Sequence, residues 1–594
     1  METDLKKQWD LDAIYEGGKQ SEQLNHHISR VNNRTEVLSN HIKDLSSMTS
    51  MFDIIDDVQQ VLEEAFHIDE FCICLASEDT SDQEAAKLMD QSNQLKMKVD
   101  TLRNELEQVF KSLNELEWNE LLNKEESVAI HPYLHKQKQQ KDHQLSPQVE
   151  EAINQLSLNG FIGWENHFEQ LFSQLRVPVS IDGEVKQLTF NEAMIRAMLN
   201  PDRDVRKETA DATQEVCKQN KDTFASILNH FAGYRLSIYQ LRELSDMQGE
   251  LYEKNKISKK ALTSMMAAIE KNQTKVQAFL KRKAQLMGLS KLSYFDNHTS
   301  VFSSKSSLSY EEAATIIKQQ FHSFSDSMGR IADQAFDQHW IDAEPRKNKA
   351  FGAFCASMPL NNESRILLTF EEKYHDVITI AHELGHAYHN SILQKQPAFA
   401  QETGTGLAET ASTFAENLVL DSAKNQAGTE EDELSLLEMQ INSGIKYITM
   451  IPSKFDFEKK FYERRMKEKL TGDELAHLME ETEKKWSQDS FAEYDAYSWM
   501  TIPHFYDTEN AFYNIPYTIG YLFSNGIYAL SLTKGSEFGQ NYDELLKHSG
   551  SLSMEELGKK YLDQDLTSEA FWNQSMQPLM TAIDEFLQKT ESMV

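Results

Sequence analysis

Between residues 380 and 390 the chain reads Ile-Ala-His382-Glu383-Leu384-Gly385-His386-Ala-Tyr-His389-Asn. Placed on a helix over 376–393, His382 and His386 stand about 40° apart round the axis and roughly 6 Å apart along it. Two imidazoles so arranged can converge on one divalent ion, with metal–nitrogen distances near about 2.1 Å for zinc. Glu383 falls about 100° round from His382, beside the metal axis rather than on it. That is where a base stands to take a proton from water at the metal. The flanks Val377-Ile-Thr-Ile-Ala381 and Ala387-Tyr388 make the other faces of this helix apolar, so the His pair points inward. Buried imidazoles and a carboxylate need a partner, and a cation supplies one. Gly385, without a Cβ, lets another backbone or a substrate come close.

A hydrolytic zinc site takes three protein ligands and leaves a fourth position for water. His389 shares the face of His382 but lies about 10.5 Å along the axis, too far to share the ion. It is assigned a supporting or structural role. Residues 407–420 predict a second buried helix, on which Glu409, Thr413 and Glu416 share one face. Glu409 can therefore be the third ligand. Glu416, two turns on, can accept the free ring N–H of a metal-bound His. Glu402 competes, but it sits in the 401–406 stretch, a predicted loop where a carboxylate is ordinarily solvated.

The elements that must hold these groups are mostly helices. Only 22 Gly and 11 Pro occur in 594 residues, too few for a turn-rich β protein. From about residue 19 to 130 the pattern is helical, with Leu88, Leu95, Val99, Leu102, Leu106, Val109, Phe110, Leu113 and Leu116 predicting one stripe on one long helix. Residues 131–143, rich in His, Lys and Gln, read as a connector. Ser146-Pro147 opens the next helix as N-cap and first turn. Val177-Pro-Val-Ser-Ile181, Asp182-Gly183 and Glu184-Val-Lys-Gln-Leu-Thr189 predict a tight β-hairpin. Asn200-Pro201-Asp202 starts helices that run to about 345, and Arg365-Ile-Leu-Leu-Thr-Phe370 predicts a strand. A loop is expected over 499–509.

Composition limits the partners. Apolar residues make up 40% and charged residues 26%, as in a soluble protein with a real core. The formal net charge of −34 disfavours nucleic acid and an anionic membrane surface, since both demand clustered Lys and Arg. The four cysteines, Cys72, Cys74, Cys217 and Cys355, form no thiolate zinc pattern and read as buried free thiols of a reducing compartment. The segment Met1-Glu-Thr-Asp-Leu-Lys-Lys-Gln-Trp9 is polar, and no apolar run approaches the roughly 20 residues of a membrane span. A cytoplasmic protein, monomer or homodimer, is expected.

Several strings together resemble the oligoendopeptidase F branch of the thimet oligopeptidase family of zinc metallopeptidases. They are Trp9-Asp-Leu-Asp-Ala-Ile-Tyr15, Phe351-Gly-Ala-Phe-Cys-Ala-Ser357, Phe370, Thr379-Ile-Ala-His-Glu-Leu-Gly-His-Ala-Tyr-His389 and Leu407-Ala-Glu-Thr-Ala-Ser412. The step from His382 to Glu409 matches that family's spacing for its third ligand. The resemblance covers essentially the whole chain, the N-terminal half only in general pattern. It implies a mainly α fold: a two-lobed helical ellipsoid with a deep central channel and a small β-sheet near the zinc. It also implies a helical region over 1–110, an oligopeptidase F N-terminal-like region over 111–195 ending in the hairpin, and a zinc metallopeptidase catalytic region over 196–594.

Further roles follow from the resemblance alone. Gly352 and Ala353, with the strand near them, would pair with substrate backbone, which a sheet edge supports physically. His504, Tyr517 and Tyr521 match donors to the scissile carbonyl, with Tyr513 as a substitute for Tyr517. Read without the resemblance, this aromatic segment is more ordinarily core; Asn514 and Pro516 start a helix that puts Tyr517 and Tyr521 one turn apart. The expected activity is hydrolysis of internal bonds in short peptides, with one Zn²⁺ per chain and Glu383 as general base. Two rivals remain at this point: a zinc carboxypeptidase or protease of folded proteins, and an acidic helical binding protein whose metal is structural.

Overall fold

A computed structural model describes residues 5–44, 48–141, 145–303, 307–425, 427–535 and 538–594. The expected N-terminal polar segment is thus seen from residue 5. Long helices carry the chain, beginning with α1 (Glu22–Lys43), α2 (Met48–Glu78) and α3 (Gln83–Ser112). β1 (Arg176–Ile181) and β2 (Glu184–Thr189) form the hairpin. Asp182 and Gly183 take φ of 54° and 81°, the left-handed pair that a two-residue turn between antiparallel strands requires. Three short strands follow: β3 (Ile341–Asp342), β4 (Phe354–Met358) and β5 (Glu363–Leu367). α4 (Tyr374–Leu393), α5 (Thr410–Asn425) and α6 (Phe538–Lys547) complete the elements used below. The chain is mainly α with small sheets, as expected.

Contacts divide the chain into two compact units. One holds 1–142, 306–426 and 530–564. In it α1, α2 and α3 bury a common core that includes Leu24, Val31, Val58, Phe71, Leu95 and Leu106. The three-stranded sheet, in the order β3-β5-β4, adds Ala356, Met358 and Leu367 to that core. β5 runs parallel to β3 and antiparallel to β4. On the opposite face of β4, Cys355 meets the side-chain amide of Asn390 on α4. The sheet thus lies between α2 and the helix that bears the His pair. Cys72 and Cys74 lie on α2, both buried and free, and burial pushes both thiols upward.

The other unit holds 143–305, 427–529 and 565–594. Asp202 caps the 39-residue helix Arg203–Leu241 by accepting the Asp204 N–H. A fully buried ion pair, Lys283 with Glu438 at 3.3 Å, lies inside this unit. The Glu438 carboxylate also accepts the Val301 and Phe302 N–H groups, so its charge is well satisfied.

Three local expectations need correction. The stripe from Leu88 does not reach Leu116: Asn114 accepts the Leu116 and Glu117 N–H groups and starts a new helix, leaving Leu116 83% exposed. The cap ends one helix where periodicity alone could not. Residues 131–143 are not simply a connector, since His131–Lys141 is helical with Tyr133, Leu134 and Gln137 buried. Lys and Gln are good helix formers that blur an apolar period; His143 lies outside the described residues. Ser146 does precede a helix with Pro147 in its first turn, but its hydroxyl makes no capping bond.

Candidate metal centre

α4 carries His382 and His386 on one face, their Nε2 atoms 3.2 Å apart. Glu409 Oε2 lies 3.5 Å from the first and 3.6 Å from the second. A tetrahedral zinc with ligands at 2.0–2.1 Å would hold its donor atoms about 3.4 Å apart. The three atoms therefore fit such an ion, and among the described residues this trio is the cluster able to hold one. All three side chains remain partly open to solvent.

Glu409 reaches this point through a break in the chain's helical course. A short turn, Thr405–Ala408, ends at Glu409 (φ −79°, ψ 0°), and α5 restarts at Thr410. The continuous helix expected over 407–420 is thus interrupted at the ligand. Ser412 then donates to Glu409 Oε2 at 2.9 Å and fixes the carboxylate's direction. Glu416 stands two turns along α5, and its Oε1 lies 2.5 Å from His382 Nδ1. That contact leaves Nε2 of His382 to face the cluster.

The helices can approach this closely because of Gly385. A Cβ there would sit 2.5 Å from the Ala411 carbonyl oxygen and 2.6 Å from Ser412 Cα. Behind the site, the Tyr388 hydroxyl donates to Asp543 on α6, and Ser327 donates to the same carboxylate at 3.0 Å. His389 is buried away from the trio, with Nε2 2.9 Å from Ser549 Oγ. Burial holds its ring down at about 4. Ser412 closes the string that begins at Leu407 without any mark of this role, and Asp543 and Ser549 carry no sequence signature that would have marked them.

Charge at the centre is lopsided. Burial, the largest single influence, works against a proton on His382, but the Glu416 hydrogen bond and the charges of Glu416, Glu383 and Glu409 together outweigh it and lift the ring to about 9. Burial and the neighbouring His382 hold His386 at about 4. Burial also raises Glu383 to about 7, against the pull of His382 and helped by Glu409 and Glu416. Glu383 is 5% exposed and takes no part in the donor triangle; burial and then the Glu383 charge push the Cys355 thiol well up, so it stays neutral. Three carboxylates around two imidazoles make a setting that a divalent cation would neutralise.

Gly352 is exposed at φ 99° and Ala353 half-buried, immediately before β4. In the second unit, the rings of His504, Tyr513 and Tyr517 gather: His504 lies 4.9 Å from Tyr513 and 5.7 Å from Tyr517. Tyr521 instead stacks on Tyr447 at 4.4 Å. Burial lowers the His504 ring below the usual imidazole range. Glu402 is held by Arg103 and Lys136, away from the trio.

Comparison with known proteins fits this arrangement. The family model Peptidase family M3 matches residues 196–578, and Oligopeptidase F matches 109–176. An oligoendopeptidase F homolog of Lactococcus lactis subsp. lactis is 23% identical over 573 residues, covering 95% of this chain and 94% of its own. The plasmid oligoendopeptidase F of Lactococcus lactis subsp. cremoris is 22% identical over the same shares. Among solved structures, oligoendopeptidase-F from Enterococcus faecium superposes with a TM-score of 0.69 at 17% identity, covering 96% of this chain and 98% of that one. A Chlamydophila abortus protein reaches a TM-score of 0.80 at 20% identity, covering 100% and 99%.

Proposed function

The chain belongs to peptidase family M3, in its oligoendopeptidase F branch, and is a metallopeptidase that hydrolyses peptides; on that premise we propose that it is a zinc endopeptidase cutting internal bonds of short oligopeptides. The observation that carries this reading is the donor triangle of His382, His386 and Glu409, with edges of 3.2–3.6 Å. Zinc held by those three residues would supply Lewis acidity toward a water and toward the peptide carbonyl.

The chain's own groups do the rest. Glu383 takes a proton from the attacking water and delivers it to the departing amine. A carboxyl lifted to about 7 by burial accepts and releases a proton near neutrality, which supports that role. Glu416 keeps the His382 ring in the tautomer that turns Nε2 to the metal. The roles of His504, Tyr517 and Tyr521 as donors to the developing oxyanion, with Tyr513 as a substitute for Tyr517, rest in this reading on the family resemblance. Gly352 and Ala353 open the strand edge along which the substrate backbone pairs. Residues 196–594 form the catalytic region in this reading.

A cytoplasmic monomer or homodimer remains part of the proposal. Among the described residues no helix is long and apolar enough to cross a membrane. The test is a series of end-blocked peptides given to zinc-loaded protein, with products weighed. Cleavage away from both ends, abolished by a chelator and restored by zinc, is expected. Trimming from one end only, or activity indifferent to the chelator, would overturn the reading.

A further inference from the structure

The free edge of the sheet carries a stop, and its meaning rests on the reading just given of the strand after Gly352 as the peptide-pairing edge. In the order β3-β5-β4, the outer side of β4 has no strand beside it among the described residues. Along an antiparallel pair, successive residues turn their N–H and C=O alternately toward the partner and away. Ile366 donates to the Trp340 carbonyl and Leu368 to that of Asp342, both on the β3 side. Ile366 therefore faces away from β4. Its register partner is Cys355, and Ser357 pairs with Ser364 in the same phase. Cys355 and Ser357 thus turn their backbone groups to the open side.

That side is not open along its whole length. The Ser357 N–H donates to Glu70 Oε2 at 3.0 Å. Glu70 belongs to α2, which packs under the face of β4 that holds Ala356 and Met358. Its side chain reaches round the strand to fill the last donor position. Two residues further on stands Pro359, which has no N–H to offer. An added peptide strand thus finds Cys355, and Ala353 before it, but no free donor at Ser357.

We propose that Glu70 is a specificity-determining residue: it ends the peptide-pairing edge at Cys355 and so limits how many substrate residues on one side of the cut are held. Without it the edge would lengthen by one two-residue step, about 7 Å, and end at Pro359. The residue touches the strand rather than the reacting atoms, so its effect is on length selection.

The experiment measures kcat/KM for end-blocked peptides lengthened two residues at a time from either end, for wild type, Glu70→Ala and Glu70→Gln. Wild type should reach a plateau on each side. Glu70→Ala should gain about three- to tenfold, one hydrogen bond's worth, for peptides one step beyond the plateau on one side, with short peptides unchanged. Glu70→Gln keeps an acceptor and should keep the plateau. Adding Ser357→Pro to Glu70→Ala removes the exposed donor and should restore it. An unchanged length profile in Glu70→Ala overturns the proposal, as does a gain that Ser357→Pro leaves in place.

A second readout does not depend on Glu70→Ala folding. In Glu383→Gln protein holding an end-blocked peptide, amide exchange should slow at Cys355 and stay unchanged at Ser357. Slowing at Ser357 overturns the stop. A wild type that cuts no peptide overturns the functional reading and this proposal together. One that cuts peptides while Glu70→Ala leaves the profile intact overturns the stop alone.

Discussion

Gly385 of α4 faces the Ala411 carbonyl at a distance that no other side chain could tolerate: a Cβ would lie 2.5 Å from that oxygen. The closeness of α4 to the start of α5 follows from this residue, and with it the meeting of the His pair with Glu409.

Gly385→Ala should push the two backbones apart by several tenths of an ångström or more. Because backbone rather than a flexible side-chain tip is the obstacle, no rotamer change can absorb it. The expected outcome is a loss of about 1–3 kcal/mol in stability together with weakened zinc binding. Denaturation midpoints and zinc titration of the same variant measure both. A variant with unchanged zinc affinity would contradict the link between helix spacing and the metal centre.

Glu416 and Ser412 act on the ligands rather than on the ion. Glu416→Ala removes the partner of His382 Nδ1, and zinc affinity should fall by about 10- to 100-fold. Ser412→Ala frees the Glu409 carboxylate to rotate and should have a smaller effect in the same direction. Competition with a zinc chelator at fixed pH orders the two. The reverse order would show that carboxylate direction matters more than the imidazole tautomer.

Away from the site, Glu64 sets part of the acid stability of the first unit. Burial alone would raise its carboxyl, but hydrogen bonds from His27 and Arg30 prevail and hold it at about 2; Arg34 also bonds to it. A carboxyl held below its unfolded value contributes stability above about pH 4.5, which is lost as pH falls toward about 2. Glu64→Gln should therefore cost on the order of 2–3 kcal/mol at pH 7 and less than half of that at pH 3. Denaturant unfolding at the two pH values checks it. An equal cost at both would mean that the residue acts through packing.

Much of the centre could be read from the chain because its logic is local. The spacing of His382, Glu383 and His386 obeys one helix, and Glu409 and Glu416 obey a shared face. The break at Glu409 was not legible, since Thr405 to Asn425 carries no Gly or Pro at the ligand itself to mark it. Asp543 and Ser549 lie 155 and 160 residues from Tyr388 and His389, the residues they bond, and nothing in their own neighbourhoods points back to that helix. Among the aromatics, spacing puts Tyr517 and Tyr521 one turn apart; packing adds that Tyr513 and Tyr517 both lie beside His504 and that Tyr521 stacks on Tyr447. A period identifies a face but not which neighbour arrives to cover it. The same limit hid the end of α3 at Leu113, where Asn114 starts a new helix.

The central claim is that Glu383 supplies the proton transfer while His382, His386 and Glu409 hold the metal. It is tested most directly by Glu383→Gln, assayed for zinc content and for kcat on one end-blocked peptide. The account predicts one zinc per chain, as in wild type, with kcat lower by at least about 10²–10⁴-fold. A variant that keeps its zinc and turns over within a few-fold of wild type would contradict it.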